Sequence, residues 1–125
     1  MIKIKFVKKG VCRNQGVGDY FEKGNDTYIL AERFKDSRLP FAISVHELIE
    51  QFTTDYDGID EPLIDEFDRA FEEEIKLGLH KEDDEPGDDE RAIYHNHHVF
   101  AEKIEKQIVE FMGLTWEEYC KKLKE

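Results

Sequence analysis

The chain has 125 residues, 30 of them Asp or Glu against 18 Lys or Arg, and a formal net charge of −12, which argues against a nucleic-acid backbone as partner. No run of 18 apolar residues and no basic, apolar, small-residue leader pattern occurs, and Cys12 and Cys120 stand far apart without C-x-x-C spacing, so neither a membrane-spanning helix nor a signal peptide is expected, and a thiolate metal or redox motif is disfavoured. The expectation is a single domain over residues 1–125, soluble and cytoplasmic with free thiols, and long enough to bury roughly two thirds of its unfolded surface.

Residues 1–40 hold nine Lys/Arg against five Asp/Glu, residues 41–90 three against nineteen, and residues 91–125 six against six. The whole acidic excess therefore lies in the centre, either as a solvated face or as carboxylates gathered to hold a cation. At the start, Met1 to Val7 alternates apolar and basic residues, which predicts a strand with one buried face. Gly16-Val17-Gly18-Asp19-Tyr20-Phe21 is a glycine loop without the strand and helix that a dinucleotide fingerprint needs, so no phosphate site is read there. Asp19 to Glu22, a Gly24-Asn25-Asp26 turn and Thr27 to Phe34 predict further strands. Residues 1–38 thus read as a small antiparallel sheet of two or three strands.

Residues 40–125 read as helical, so the fold class is α+β: the small sheet packed with three main helices and a short C-terminal one. From Pro40, Ala42, Val45, Leu48, Ile49 and Phe52 recur at helical spacing and mark an inward face, bordered by His46 and Glu50. Asp57-Gly58 breaks this helix. A second runs from about Asp60, with Pro62 in its first turn, to Gly78; Leu63, Ile64, Phe67, Phe71 and Ile75 form its stripe, with Asp65, Asp68 and Glu72 beside it. Residues 80–90 form an acidic loop turning at Pro86-Gly87, without EF-hand spacing and so without a calcium reading. A third helix is predicted from about Glu90 to Met112, ended by Gly113. It carries one stripe of Ile93, His97, Phe100, Ile104, Ile108 and Phe111 and an adjoining one of Tyr94, His98, Ala101, Glu105 and Met112. Thr115-Trp116-Glu117-Glu118 is a capping box opening a last helix to about Leu123, with Trp116, Tyr119 and Leu123 packed on the body.

The chemistry concentrates in His46-Glu47-Leu48-Ile49-Glu50. His46 and Glu50 are four residues apart, so on a helix they share a face and can share an ion, while Glu47 can serve a bound water. This is the H-E-x-x-H device with a carboxylate in place of the second histidine. Ser44 with Glu47 also fits a capping box, which would make Glu47 a helix cap; apolar spacing back to Phe41 weakens that reading. The remaining ligands must come from elsewhere, and spacing alone does not choose among His95, His97 and His98.

His46-Glu47-Leu48-Ile49-Glu50, Phe67-Asp68, Glu85-Pro86-Gly87-Asp88-Asp89, Tyr94, His98, Ala101, Glu105 and Gly113 to Tyr119 together resemble a family of small uncharacterised bacterial and phage proteins with compact, zincin-like folds. The match covers about residues 40–120. The resemblance implies His46, Glu50 and His98 as metal ligands, sets aside His95 and His97, and brings in Asp68 and Glu105 as further ligands or as acceptors for a free imidazole N–H. Where that family tends to have Pro before the Tyr, this chain has Ile93.

Two imidazoles with one or two carboxylates suit Zn²⁺, with Mn²⁺ or Fe²⁺ as alternatives. With Glu47 as general base, the expected activity is metal-assisted hydrolysis of peptidase type, with Thr27 to Phe34 as an edge strand for an extended peptide. The alternative is a non-catalytic, metal-braced or acidic module that binds a protein partner, in a phage-related setting.

Overall fold

The structure, a computed structural model, describes residues 1–125 apart from the side chain of Gln15. Strand β1 (Ile2–Val7) is followed by a short turn of 3-10 helix at Arg13–Gln15, then by β2 (Gly18–Lys23) and β3 (Asp26–Glu32). Helices α1 (Arg38–Tyr56), α2 (Glu61–Lys76), α3 (His95–Phe111) and α4 (Trp116–Leu123) complete the chain, with a second 3-10 turn at Pro86–Asp88. The class is α+β, as the patterning predicts.

The sheet is mixed, in the order β1-β3-β2. The Gly24-Asn25 turn folds β2 back on β3 antiparallel, from Gly18↔Ala31 to Lys23↔Asp26, as expected. β1 then adds to the free edge of β3 in parallel, from Ile2↔Thr27 to Val7↔Glu32. Alternation within a strand carries no information about direction, so only the assembled sheet decides this. Three expectations change, the first being the antiparallel sheet, which β1 makes mixed. β3 lies in the middle and has no free edge for a peptide. The apolar side of β1 is not buried: Ile2, Ile4 and Phe6 stay largely exposed, because α1 packs on β3 and β2.

Helices α1 and α3 bury different faces from those that hydrophobicity suggests. On α1 the buried side runs Leu39, Ala42, Ile43, His46, Glu50 and Thr54, while Phe52, assigned inward above, is 60% exposed. On α3 the second of the two stripes is the buried one, with Tyr94 just ahead of the helix and His98, Ala101, Glu105 and Val109 on it. Phe111, from the apolar stripe, is 92% exposed. His46 meets Glu105 and Glu50 meets His98, so α1 and α3 run antiparallel along a seam of polar side chains, with Ala42 and Ala101 fully buried beside them.

Two apolar clusters bracket that seam. One joins Ala31, Leu39, Ala42, Ile43, Val109, Leu114 and Tyr119, with Trp116 and Leu123 packed against it. The other joins Ile64, Ala92 and Tyr94, with Ile59 and Phe67 beside them. α4 starts as its sequence predicts: the Thr115 hydroxyl accepts from the Glu118 N–H at 3.0 Å, and the Glu118 carboxylate accepts from the Thr115 N–H at 3.2 Å. Among the described residues, no helix is long and apolar enough to cross a membrane.

Candidate metal centre

The seam gathers the residues singled out above. One oxygen of Glu50, Oε2, lies 3.1 Å from His46 Nε2 and 3.0 Å from His98 Nδ1, and its other oxygen accepts from the Tyr20 hydroxyl at 3.1 Å. All three residues are buried. With metal–ligand bonds of ~2.0–2.1 Å, neighbouring donors in a tetrahedral shell stand ~3.3 Å apart. Each nitrogen's distance to the carboxylate oxygen is close to that edge, and all three donor atoms lie within 4.8 Å of one another, so these residues fit a divalent ion that would replace the two imidazole–Glu50 hydrogen bonds.

Glu105 supports His46 from behind. Its Oε1 is 2.7 Å from His46 Nδ1, and its Oε2 accepts from the Tyr119 hydroxyl at 2.5 Å. With its Nδ1 bonded to Glu105, Nε2 is the nitrogen His46 would offer to an ion, in place of its bond to Glu50. Asp68 bonds to no imidazole; its Oδ1 accepts from the Tyr94 hydroxyl at 2.5 Å, and it faces the same cavity from α2. His95 bonds through Nδ1 to the Gly87 carbonyl at 2.9 Å, and His97 through Nε2 to Asp57 at 2.6 Å.

A cavity of about 180 Å³ opens over the seam, lined by Tyr20, His46, Glu47, Glu50, Asp68 and His98 among others. Glu47 is half-buried and lies against the backbone of β2, where a β-carbon on Gly18 would overlap its carboxylate. Gly18 is therefore what lets the acid reach the cavity wall. Ser44 does not pair with Glu47 as a cap: α1 starts at Arg38, and the Ser44 hydroxyl donates to the Phe41 carbonyl at 2.7 Å inside the helix. The 3-10 turn at Pro86–Asp88 closes the far side, with Gly87 so near His98 that a β-carbon there would overlap the imidazole.

The electrostatics follow from burial and pairing. Burial pulls the His46 imidazolium down, but its bonds to Glu105 and Glu50 outweigh this and hold it well above its ordinary value. His98 is likewise raised, burial being overcome by Asp88, Glu50 and Glu85. Glu50 is held down at about 2 despite its burial, because both imidazoles bond to it. Burial, then repulsion from Glu50, lift Glu47 well above the carboxylate range. Asp68 is raised to about 7, mainly by burial. Together these shifts favour protons on the two imidazoles and on Glu47 and disfavour one on Glu50.

Two groups escaped the sequence reading. Tyr20 and Tyr119 orient Glu50 and Glu105, and nothing in their local patterns distinguishes them from core aromatics. Glu85 and Asp88 stand 3.1 and 3.2 Å from His98 Nε2; the Glu85-Pro86-Gly87-Asp88-Asp89 loop stands out in the sequence by its turn signal and by the resemblance, neither of which assigns these two acids a role. Comparison of the chain with protein-family models, with curated proteins and with solved structures returned no match.

Proposed function

We propose that this chain is a zincin-like, metal-dependent hydrolase of peptidase type, with His46, Glu50 and His98 holding a divalent ion, Zn²⁺ first among candidates, and Glu47 as general base. The observation that carries the reading is the convergence of His46 Nε2 and His98 Nδ1 on one Glu50 oxygen, at 3.1 and 3.0 Å, on the wall of a cavity that Glu47 also lines. A bound ion would supply Lewis acidity, polarising a carbonyl and acidifying a water. Glu47 lines the cavity beside His46 in sequence, its carboxylate against Gly18, and its assigned role is to take a proton and return it to a leaving group. Its raised affinity for protons suits that role, because burial disfavours the carboxylate until a positive charge sits nearby. Glu105 fixes the His46 ring, and Tyr20 fixes Glu50.

The cavity narrows the substrate. At about 180 Å³ it is below the ~300–1,000 Å³ of sites that enclose a drug-sized ligand, so it takes a small molecule or one bond of a longer chain. With β3 enclosed, the sheet edge beside the cavity is β2, whose Tyr20 carbonyl already accepts from Arg13 at 2.9 Å. That same smallness favours a second reading, in which the ion only braces α1 against α3 and the chain is a non-catalytic partner-binding module. A cytoplasmic setting accords with both readings, since Cys12 and Cys120 are free thiols. A phage-related origin rests on the sequence resemblance alone.

Metal analysis of protein purified without chelator comes first: a transition-metal content below about a tenth of an equivalent defeats the hydrolase reading. Glu47→Gln then separates the two. The hydrolase keeps its metal and loses hydrolysis of small peptide, amide and ester substrates by about 10²-fold or more, whereas a brace changes in neither metal content nor stability.

A further inference from the structure

His98 has two ring nitrogens, and only one belongs to the arrangement proposed above. Nδ1 meets Glu50 with the directed geometry of a hydrogen bond. Nε2 is 3.1 Å from Glu85 Oε2, 3.2 Å from Asp88 Oδ1 and 3.8 Å from Glu102 Oε2, yet it is buried without a hydrogen-bond partner in a residue that is 5% exposed. Contacts as short as the first two fail as hydrogen bonds only when the oxygens stand off the ring's N–H axis. That is how donors are disposed around a nitrogen that ligates an ion. With bonds of ~2.0–2.2 Å, neighbouring donors are ~3.0–3.4 Å apart and the axis itself points at the ion.

The backbone is shaped for this arrangement. Gly87 lets the Pro86–Asp88 turn lie against the imidazole face, and its carbonyl accepts from His95 at 2.9 Å. Glu85, just ahead of the turn, and Asp88, at its end, are thereby held 3.1 and 3.2 Å from Nε2, while Glu102 approaches from the next turn of α3. We infer that His98 Nε2, Glu85 and Asp88, with Glu102 at their margin, form a second divalent-cation position, on the opposite edge of the imidazole from His46 and Glu50.

One nitrogen with two or three carboxylates selects an oxygen-preferring ion such as Mn²⁺. A neutral imidazole offers one lone pair, so the two positions share His98 and fill in competition. When Nε2 ligates, the Nδ1–H donates to Glu50, which then orients the ring. The inference rests on His98 and the loop, and holds independently of the His46 position.

Manganese(II) titration, read by loss of the free-ion electron paramagnetic resonance signal, tests it in three proteins: wild type, Glu85→Gln/Asp88→Asn and His46→Gln. The Glu85 and Asp88 side chains are 59% and 54% exposed, so the double variant keeps the fold, as circular dichroism will verify. It is expected to weaken Mn²⁺ binding by about tenfold or more, with His46→Gln within about threefold of wild type. Unchanged Mn²⁺ affinity in the double variant overturns the inference, and that variant alone decides the matter if His46→Gln does not fold. Zn²⁺ titrated into the same proteins separates the two readings. If both ions are lost in His46→Gln and kept in the double variant, the inference falls and the hydrolase centre stands. If both are lost in the double variant and kept in His46→Gln, the inference stands and the hydrolase centre falls.

Discussion

At the scale of single residues, two small groups govern the geometry of the seam. Gly87 has no room for a side chain, because a β-carbon would overlap the His98 ring. Gly87→Ala is expected to cost about 1–3 kcal/mol, read as the urea midpoint, and to lower metal affinity along with it. Tyr119 is fully buried and its hydroxyl satisfies one oxygen of Glu105, whose other oxygen holds His46. Tyr119→Phe removes that donor and leaves a buried carboxylate oxygen unpaired. A loss of about 1–2 kcal/mol follows; a change under about 0.3 kcal/mol would show that Glu105 finds another partner. His46 and Glu50 were legible in the sequence because four-residue spacing on a helix is a local property. His98 was not separable from His95 and His97 by spacing, since a choice among neighbouring histidines depends on which face α3 turns inward.

At the scale of elements, the polar seam decides which faces are buried. Hydrophobic periodicity placed Phe52 inside α1 and gave α3 a stripe ending at Phe111, yet both side chains are exposed. The faces that meet carry His46, Glu50, His98 and Glu105, which bond to one another, with Tyr20 and Tyr119 completing the two carboxylates. Close approach there needs small neighbours, which Ala42 and Ala101 supply. Ala101→Leu should therefore cost about 1–3 kcal/mol by prising α1 from α3, while Phe52→Ala should stay within about 0.5 kcal/mol. Chemical denaturation of the two variants side by side checks the order, and the reverse order would show that the apolar face does the packing. By contrast, α4 was readable in full. Its capping box and its contacts through Trp116, Tyr119 and Leu123 follow from local hydrogen bonding and helical spacing.

At the scale of the whole molecule, the buried charges link stability to pH. His46 and His98 are raised from 6.5, so their contribution is complete below that pH and is lost as pH rises above it. Glu50 falls from 4.5 to about 2, so its contribution is present above 4.5 and is lost in acid. Glu47 and Asp68 are raised, Asp68 from 3.8 to about 7, and the folded state weakens as they ionise. All four raised groups act in one direction. With chelator present, stability should decline from about pH 5 to about pH 8, and saturating Zn²⁺ should widen its lead over the same interval, because ligation requires unprotonated imidazole. Urea midpoints measured across that range check both slopes; a chelated protein that gains stability toward pH 8 would contradict the charge assignment. The sequence by itself determined the helices, the β2–β3 hairpin, the α4 cap and the pairing of His46 with Glu50, because each is written in contacts between residues close along the chain. Only the tertiary structure decided the parallel placement of β1, the inward turn of the polar faces and the approach of Glu85 and Asp88 to His98. Those depend on which distant groups satisfy a buried charge, and no local pattern encodes that.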